Sequence, residues 1–215
     1  MSAGWGEDDF WDVAARYAGE WAGFKVAGAA AYTQWTNDFA GPTGEFSLTN
    51  ANGDTDYFQA GLYVQHIPTG LWLYGAYGHI ETDGVTADVD LEGIGTLLGG
   101  FDIADGDTYY IKGGLRERWL PMGHTVLYGE YAQYNDSQSD LVTNAGFTGA
   151  ETEMWGVGVV QEIDSAAMSV WLKYRHIEGD FGTCQGVVDT VCALNPGDFD
   201  LEDFQYVSFG GLINF

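Results

Sequence analysis

The chain has 215 residues, with Lys+Arg 7 against Asp+Glu 32 for a formal net charge of -25, yet 46% of it is hydrophobic and 15% aromatic. The charge excludes nucleic acid as a partner, because binding would press carboxylates against phosphates. The aromatic content excludes a disordered chain, and Gly 32 against Pro 4 favours closely packed or curved sheet over a helical bundle.

No apolar stretch approaches the roughly 18 residues that a membrane-crossing helix needs. The opening "MSAGWGEDDF" is acidic and lacks the apolar region of a secretory signal. Strand-like runs then follow at about residues 10–21, 24–35, 57–66, 71–81, 108–119, 124–134, 153–162, 166–176 and 204–215. Short links ("EWAG", "HIPTG", "LPMG", "EIDS") alternate with long Gly/Asp/Asn-rich segments at 36–56, 82–107, 135–152 and 177–203. The rhythm predicts four hairpins and a final strand. Within 82–107 the string "VTADVDL" alternates and could form a further strand.

Charge separates along the same division. Of the 32 acids, 26 lie in the long segments, at their borders or in the first nine residues. The bases Arg16, Lys25, Lys112, Arg116, Arg118, Lys173 and Arg175 all lie inside runs. With a period of two, Arg16 shares a face with Asp12, Ala14 and Ala18, opposite Trp11, Val13 and Tyr17. Lys112, Gly114, Arg116 and Arg118 oppose Ile111, Gly113, Leu115 and Trp119, and Glu130 lies with Tyr128 and Ala132. Lys173 and Arg175 oppose Leu172 and Tyr174, and Phe215 closes an alternating apolar face with Val207, Phe209 and Ile213.

Such alternation suits a soluble sheet with one wet face, or a membrane sheet with a polar interior. A soluble sheet calls for many Lys, Thr and Glu on its wet face. Here that face is instead rich in Gly, Ala, Ser and Tyr, and Trp residues gather at run ends, as amphipathic rings do at membrane interfaces. The sequence thus predicts an all-β chain, an antiparallel transmembrane β-barrel portion of about nine strands over 1–215. Trp11, Trp72, Phe209 and Phe215 are expected on the lipid side and Arg116, Arg118, Lys173 and Arg175 on the other. Nine strands cannot close antiparallel on themselves, so strands preceding residue 1 are expected.

The strings "HTVLYGEYAQYN", "AMSVWLKYRHIEG" and "FQYVSFGGLINF", with an acidic loop holding a close Cys pair, resemble the C-terminal part of a Gram-negative outer-membrane porin. The long-looped porins of alphaproteobacteria are the nearest likeness. The resemblance implies a location in the outer membrane and a water-filled channel for passive diffusion of small hydrophilic solutes and ions. It implies pore-lining positions for Arg16, Lys25, Lys112, Arg116, Arg118, Glu130, Lys173 and Arg175, and a terminal insertion signal at Phe215. Implied partners are outer-membrane lipid and lipopolysaccharide, the outer-membrane assembly machinery, and a homotrimer or an additional barrel-forming chain. Asp88, Asp90 and Glu92 are candidates for a constriction loop, with a solvated external loop as the other reading.

No catalytic motif stands out, and an enzyme is not expected. Cys184 and Cys192 enclose "CQGVVDTVC", where a disulfide is read ahead of a metal site or free thiols. His66, His79, His124 and His176 show no ligand spacing with one another and read as packing or interfacial residues. No resident cofactor is expected, with Ca2+ at the acidic external loops the one ion in view. The alternative function is a β-rich, calcium-bridged structural or adhesive surface protein, whose Asp and Glu oxygens act as hard ligands.

Overall fold

A computed structural model describes residues 1–6, 9–37, 46–50, 53–83, 86–91, 95–102, 105–135, 150–181 and 199–213. Among these residues fourteen strands form, in chain order β1 (Ser2–Trp5), β2 (Trp11–Trp21), β3 (Phe24–Asn37), β4 (Phe46–Asn50), β5 (Gly53–His66), β6 (Leu71–Asp83), β7 (Thr86–Leu91), β8 (Gly95–Asp102), β9 (Gly106–Leu120), β10 (Gly123–Asn135), β11 (Ala150–Ile163), β12 (Met168–Phe181), β13 (Phe199–Asp200) and β14 (Phe204–Ile213). Each of the nine strand-like runs forms a strand. The main sheet has 11 strands in the order β1-β2-β3-β5-β6-β9-β10-β11-β12-β13, with β14 also paired to β12. Its described pairs are antiparallel throughout.

The alternating "VTADVDL" forms β7, which pairs with β4 on one side and β8 on the other in a separate 3-stranded sheet. Two of the long segments are therefore joined to each other by backbone pairing. Asp88 and Asp90 sit on β7, paired with Ser47 and Thr96 respectively, whereas Glu92 lies outside the described residues.

The expected barrel is not what forms. β1 and β14 are the two ends of the sheet, and no pairing joins them among the described residues. β1 is only 4 residues long and covers just Trp11–Ala14 of β2, so the rest of that edge stays open. An open edge leaves backbone N–H and C=O groups without strand partners. Hydrocarbon does not tolerate such groups, so a membrane-crossing barrel requires closure that this sheet lacks. The described architecture is an open antiparallel sheet.

The short links explain why neighbouring strands return so tightly. Between β2 and β3, Ala22 and Gly23 both have positive φ, at 49° and 83°. That is the two-residue hairpin turn whose twist matches antiparallel strands. Pro68 opens a short 3-10 turn after β5, and Gly70 ends it at φ 66°. A side chain at Gly70 would meet the Arg116 carbonyl oxygen at 2.2 Å. That carbonyl lies close because Arg116 N–H donates to the Gly70 carbonyl at 2.9 Å, fixing the turn against β9.

The two faces of the sheet differ in kind. Trp11, Val13, Tyr17 and Trp21 on β2, Leu71 and Leu73 on β6, Tyr109 and Ile111 on β9, Trp155 and Val157 on β11, and Val207 and Phe209 on β14 all lie exposed on the outward face. The other face is concave. Residues of β1, β2, β3, β5, β6 and β9 line one cavity there, and ion pairs reach between strands two apart. Trp72 departs from expectation. Its register with Gln65 and Gly114 puts it on the concave face with Arg116, its ring 6.0 Å from that of Tyr63. Among described residues the only buried hydrophobics are Ala132 and Met154. The sheet thus folds without an apolar core of its own.

Candidate functional site

A single cross-strand row organises the concave face. Reading along the pairings it runs Ala18, Ala27, Tyr63, Tyr74, Lys112, Glu130, Gly156, Arg175 and Tyr206. Residues in one row project from adjacent strands at the same height. In the half formed by β9 to β14 the row brings a carboxylate between two cations.

Glu130 is the centre. Its side chain is fully buried, and Arg175 Nε donates to its Oε1 at 2.6 Å while Arg175 Nη2 donates to its Oε2 at 3.1 Å. The Tyr110 hydroxyl donates to the same Oε2 at 2.6 Å, and Lys112 Nζ stands 3.8 Å from it. Burial pushes the Glu130 carboxyl up, but the hydrogen bonds from Arg175 and Tyr110 outweigh it and hold the group below the ordinary glutamate range. Arg175 must cross β11 to make this fork, and it crosses at Gly156. A Cβ there would meet the Tyr174 carbonyl at 2.7 Å, and Arg175 Cγ and Glu130 Oε1 at 3.1 Å. Arg175 Nη1 continues the chain to the Tyr206 hydroxyl of β14 at 3.2 Å, and Lys112 Nζ lies 3.7 Å above the Tyr128 ring.

A second group lies nearer the short turns. Arg116 forks onto Glu162 across β10, with Nε to Oε1 at 2.9 Å and Nη2 to Oε2 at 2.6 Å. Arg118 pairs with Asp164. The Arg116 hydrogen bond holds Glu162 below its usual range against the opposing effect of burial. At the opposite end of the strands Tyr77 donates to Asp107 at 2.5 Å. This bond lowers Asp107 and raises Tyr77 to about 12.

The other half of the face is empty. A cavity of 720 Å³ lies over Ala14, Ala27, Ala29, Ala31, Gly61 and Ala76, walled by Tyr57, Tyr63, Tyr74 and Tyr110. Arg16 stands at its border and makes no ion pair with a described residue. Lys25 sits opposite Glu20 at the turn end, and Lys173 Nζ lies 5.5 Å from the Trp171 ring.

The histidines carry what sequence spacing concealed. His124 Nδ1 lies 3.4 Å from Glu162, within a cluster that includes Asp164. His176 Nε2 donates to Glu178 at 2.6 Å and lies 3.6 Å from Asp203. In each cluster one donor atom per residue lies within 4.8 Å of the others, a spacing compatible with a divalent cation. The His176–Glu178 spacing of two on one strand was the available signal. Asp203 could not be added to it without the fold.

No family model matches the chain, and no curated protein does. Among solved structures it is similar to the β domain of the Bordetella autotransporter BrkA, at 11% identity and a TM-score of 0.43, covering 96% of this chain and 80% of that one. The porin likeness is corrected on the sheet itself, which among the described residues is open and encloses no channel. The expected transport function falls with it. The pore-lining set divides instead into ion-paired Lys112, Arg116, Arg118, Glu130 and Arg175, and Arg16, Lys25 and Lys173 without ion pairs among the described residues. No disulfide is found among the described residues, and Cys184, Cys192 and Phe215 lie outside them.

Proposed function

We propose that the chain is a structural protein of the cell surface, seated on the outer membrane through its outward apolar face. Divalent cations, Ca2+ among them, would bridge its acidic side chains to the anionic phosphates of phospholipid or lipopolysaccharide. The observation that carries this reading is the exposed outward face itself. Trp21 is 83% exposed, Phe209 82% and Val207 66%, while the concave face carries Lys112, Glu130 and Arg175 from β9 to β12. Contiguous apolar surface of this extent is covered in a working protein, and lipid is the covering that accepts aromatic and aliphatic side chains without shape matching. A chain of net charge -25 is repelled by anionic head groups. Cations bound between carboxylate and phosphate oxygens reverse that repulsion. The partner required is therefore lipid together with a divalent ion.

Flotation on a density gradient with vesicles of anionic phospholipid or lipopolysaccharide tests the reading. The protein is expected to rise with the vesicles in the presence of Ca2+ and to be released in part by a chelator. Its tryptophans should be quenched by lipids brominated in the acyl chains. Protein that stays at the bottom without detergent, or vesicles that release an entrapped solute when it binds, would overturn the proposal.

A further inference from the structure

We propose that His176, Glu178 and Asp203 form a binding site for a divalent transition-metal ion of the Zn2+ class, and that the ion ties the link before β14 to β12. His176 and Glu178 lie two apart on β12 and so project from the same face. Asp203 is brought beside them by the return of the chain from β13. Asp180 and Phe181 pair with that short strand, and Leu201 N–H then donates to the Gly179 carbonyl at 2.8 Å. The link is thereby laid along β12 until Phe204 meets Ile177.

The imidazole is the second observation that makes this more than two neighbouring acids. The His176 side chain is only 10% exposed, and its Nε2 points into the cluster at 2.6 Å from Glu178 and 3.6 Å from Asp203. Outside the cluster it has no hydrogen-bond partner, and its Nδ1 is buried with none. The Trp155 ring lies beside it, 5.3 Å away. One nitrogen and two carboxylate oxygens, with room for water beyond two half-exposed acids, is the donor set that Zn2+, Co2+ and Ni2+ accept. Ca2+ prefers oxygen alone. Once Nε2 binds the metal, the ring proton moves to Nδ1, where no acceptor supports it. Affinity is therefore expected below that of a zinc site with a supported histidine.

The other histidine cluster lacks this vacancy of charge. Glu162 and Asp164 are already neutralised by Arg116 and Arg118. Glu178 and Asp203, by contrast, pair with no Lys or Arg among the described residues. The site lies on the outward face in register with Trp155, but its ligands come from the protein alone and are read in detergent, so flotation and metal binding fail or succeed separately.

Trp155 supplies a local reporter. Titration of the detergent-solubilised protein with Co2+ is expected to quench a saturable part of the tryptophan emission, and excess Ca2+ should leave that quenching in place. Asp203→Asn changes an exposed link residue, and His176→Gln changes the buried ligand. Each is expected to weaken the quenching at least tenfold, whereas His124→Gln retains it. Trp155→Phe should remove the quenched component while equilibrium dialysis still finds Co2+ bound. The proposal is overturned if Asp203→Asn and His176→Gln quench as the parent does, if His124→Gln abolishes the effect, or if Ca2+ competes it away. A thiolate-to-cobalt absorption band accompanying the quenching would place the ion at the cysteines and overturn it equally.

Discussion

The two halves of the concave face share a backbone geometry but not a filling. From β2 to β6 the floor of the face is mostly Ala and Gly, with tyrosines as walls, and a cavity of 720 Å³ results. From β9 to β14 the same rows carry Lys112, Glu130, Arg175, Tyr128 and Trp171, and the carboxylate at the centre is fully buried. The difference teaches where this coreless sheet is held together. Hydrogen bonds of the ladders run through both halves alike, but among the described residues only one half adds charge-assisted bonds that bridge strands not adjacent to each other. Such bonds resist flattening of the sheet, because flattening separates alternate strands first.

The largest expected effect comes from removing the centre of the filled half. Glu130→Ala leaves Arg175 and Lys112 facing each other without their shared carboxylate. Loss of one partner of a buried pair costs about 3–5 kcal/mol, so denaturant unfolding in detergent should show a midpoint far below the parent's. Glu130→Leu combined with Arg175→Leu is expected to recover part of that loss, since no uncompensated arginine is then buried. A smaller effect is expected at the crossing point. Gly156→Leu would put a side chain where Arg175 passes over β11, and overpacking of this kind costs roughly 1–3 kcal/mol. Equal stability of Gly156→Leu and the parent would show that Arg175 reaches Glu130 by another route.

Much of the sheet was legible because its signal is local. The run at 124–134 alternates so regularly that both its existence as β10 and the inward direction of Glu130 follow from parity. Parity denied closure of the nine strands on themselves, but which edges would meet was not legible, since no residue within a strand records that. Trp72 shows a milder failure. Read as an interfacial ring, it lies instead on the concave face, where register with Gly114 leaves the space it needs. The ion pairs were out of reach for a similar reason. Arg116 and Glu162 are 46 residues apart in sequence and become neighbours only because the sheet curves across β10.

The pH response sharpens the comparison further. Glu130 and Glu162 both titrate below their unfolded-chain range, because arginines hold them ionised. A depressed folded-state pKa adds stability above the unfolded value, about 4.3 for glutamate, and the contribution disappears as pH falls through the lower folded value. Acid unfolding should therefore steepen below about pH 4. Glu162→Gln is expected to remove part of the slope, with a change of no more than about 1 kcal/mol at neutral pH because this pair is partly solvated. An acid profile that Glu162→Gln leaves untouched would mean that the Arg116 fork does not form in solution.

The smallest effect belongs to the empty half, and its smallness is the informative part. Ala29 lies on the cavity floor in the row that joins Arg16 to Gly61, and it is exposed. Ala29→Leu adds a side chain into open space rather than into packed atoms. It should change stability by no more than about 0.5 kcal/mol, as substitutions away from packed or paired groups do. Gly156→Leu makes a similar enlargement on the same face, so the pair of variants separates filled from empty with little change in chemistry. If Ala29→Leu destabilised the protein as much as Gly156→Leu, the cavity would have to be occupied by protein in solution. The contrast between the halves would then vanish, and the stabilising role assigned to the Glu130 row would have to be shared across the whole sheet.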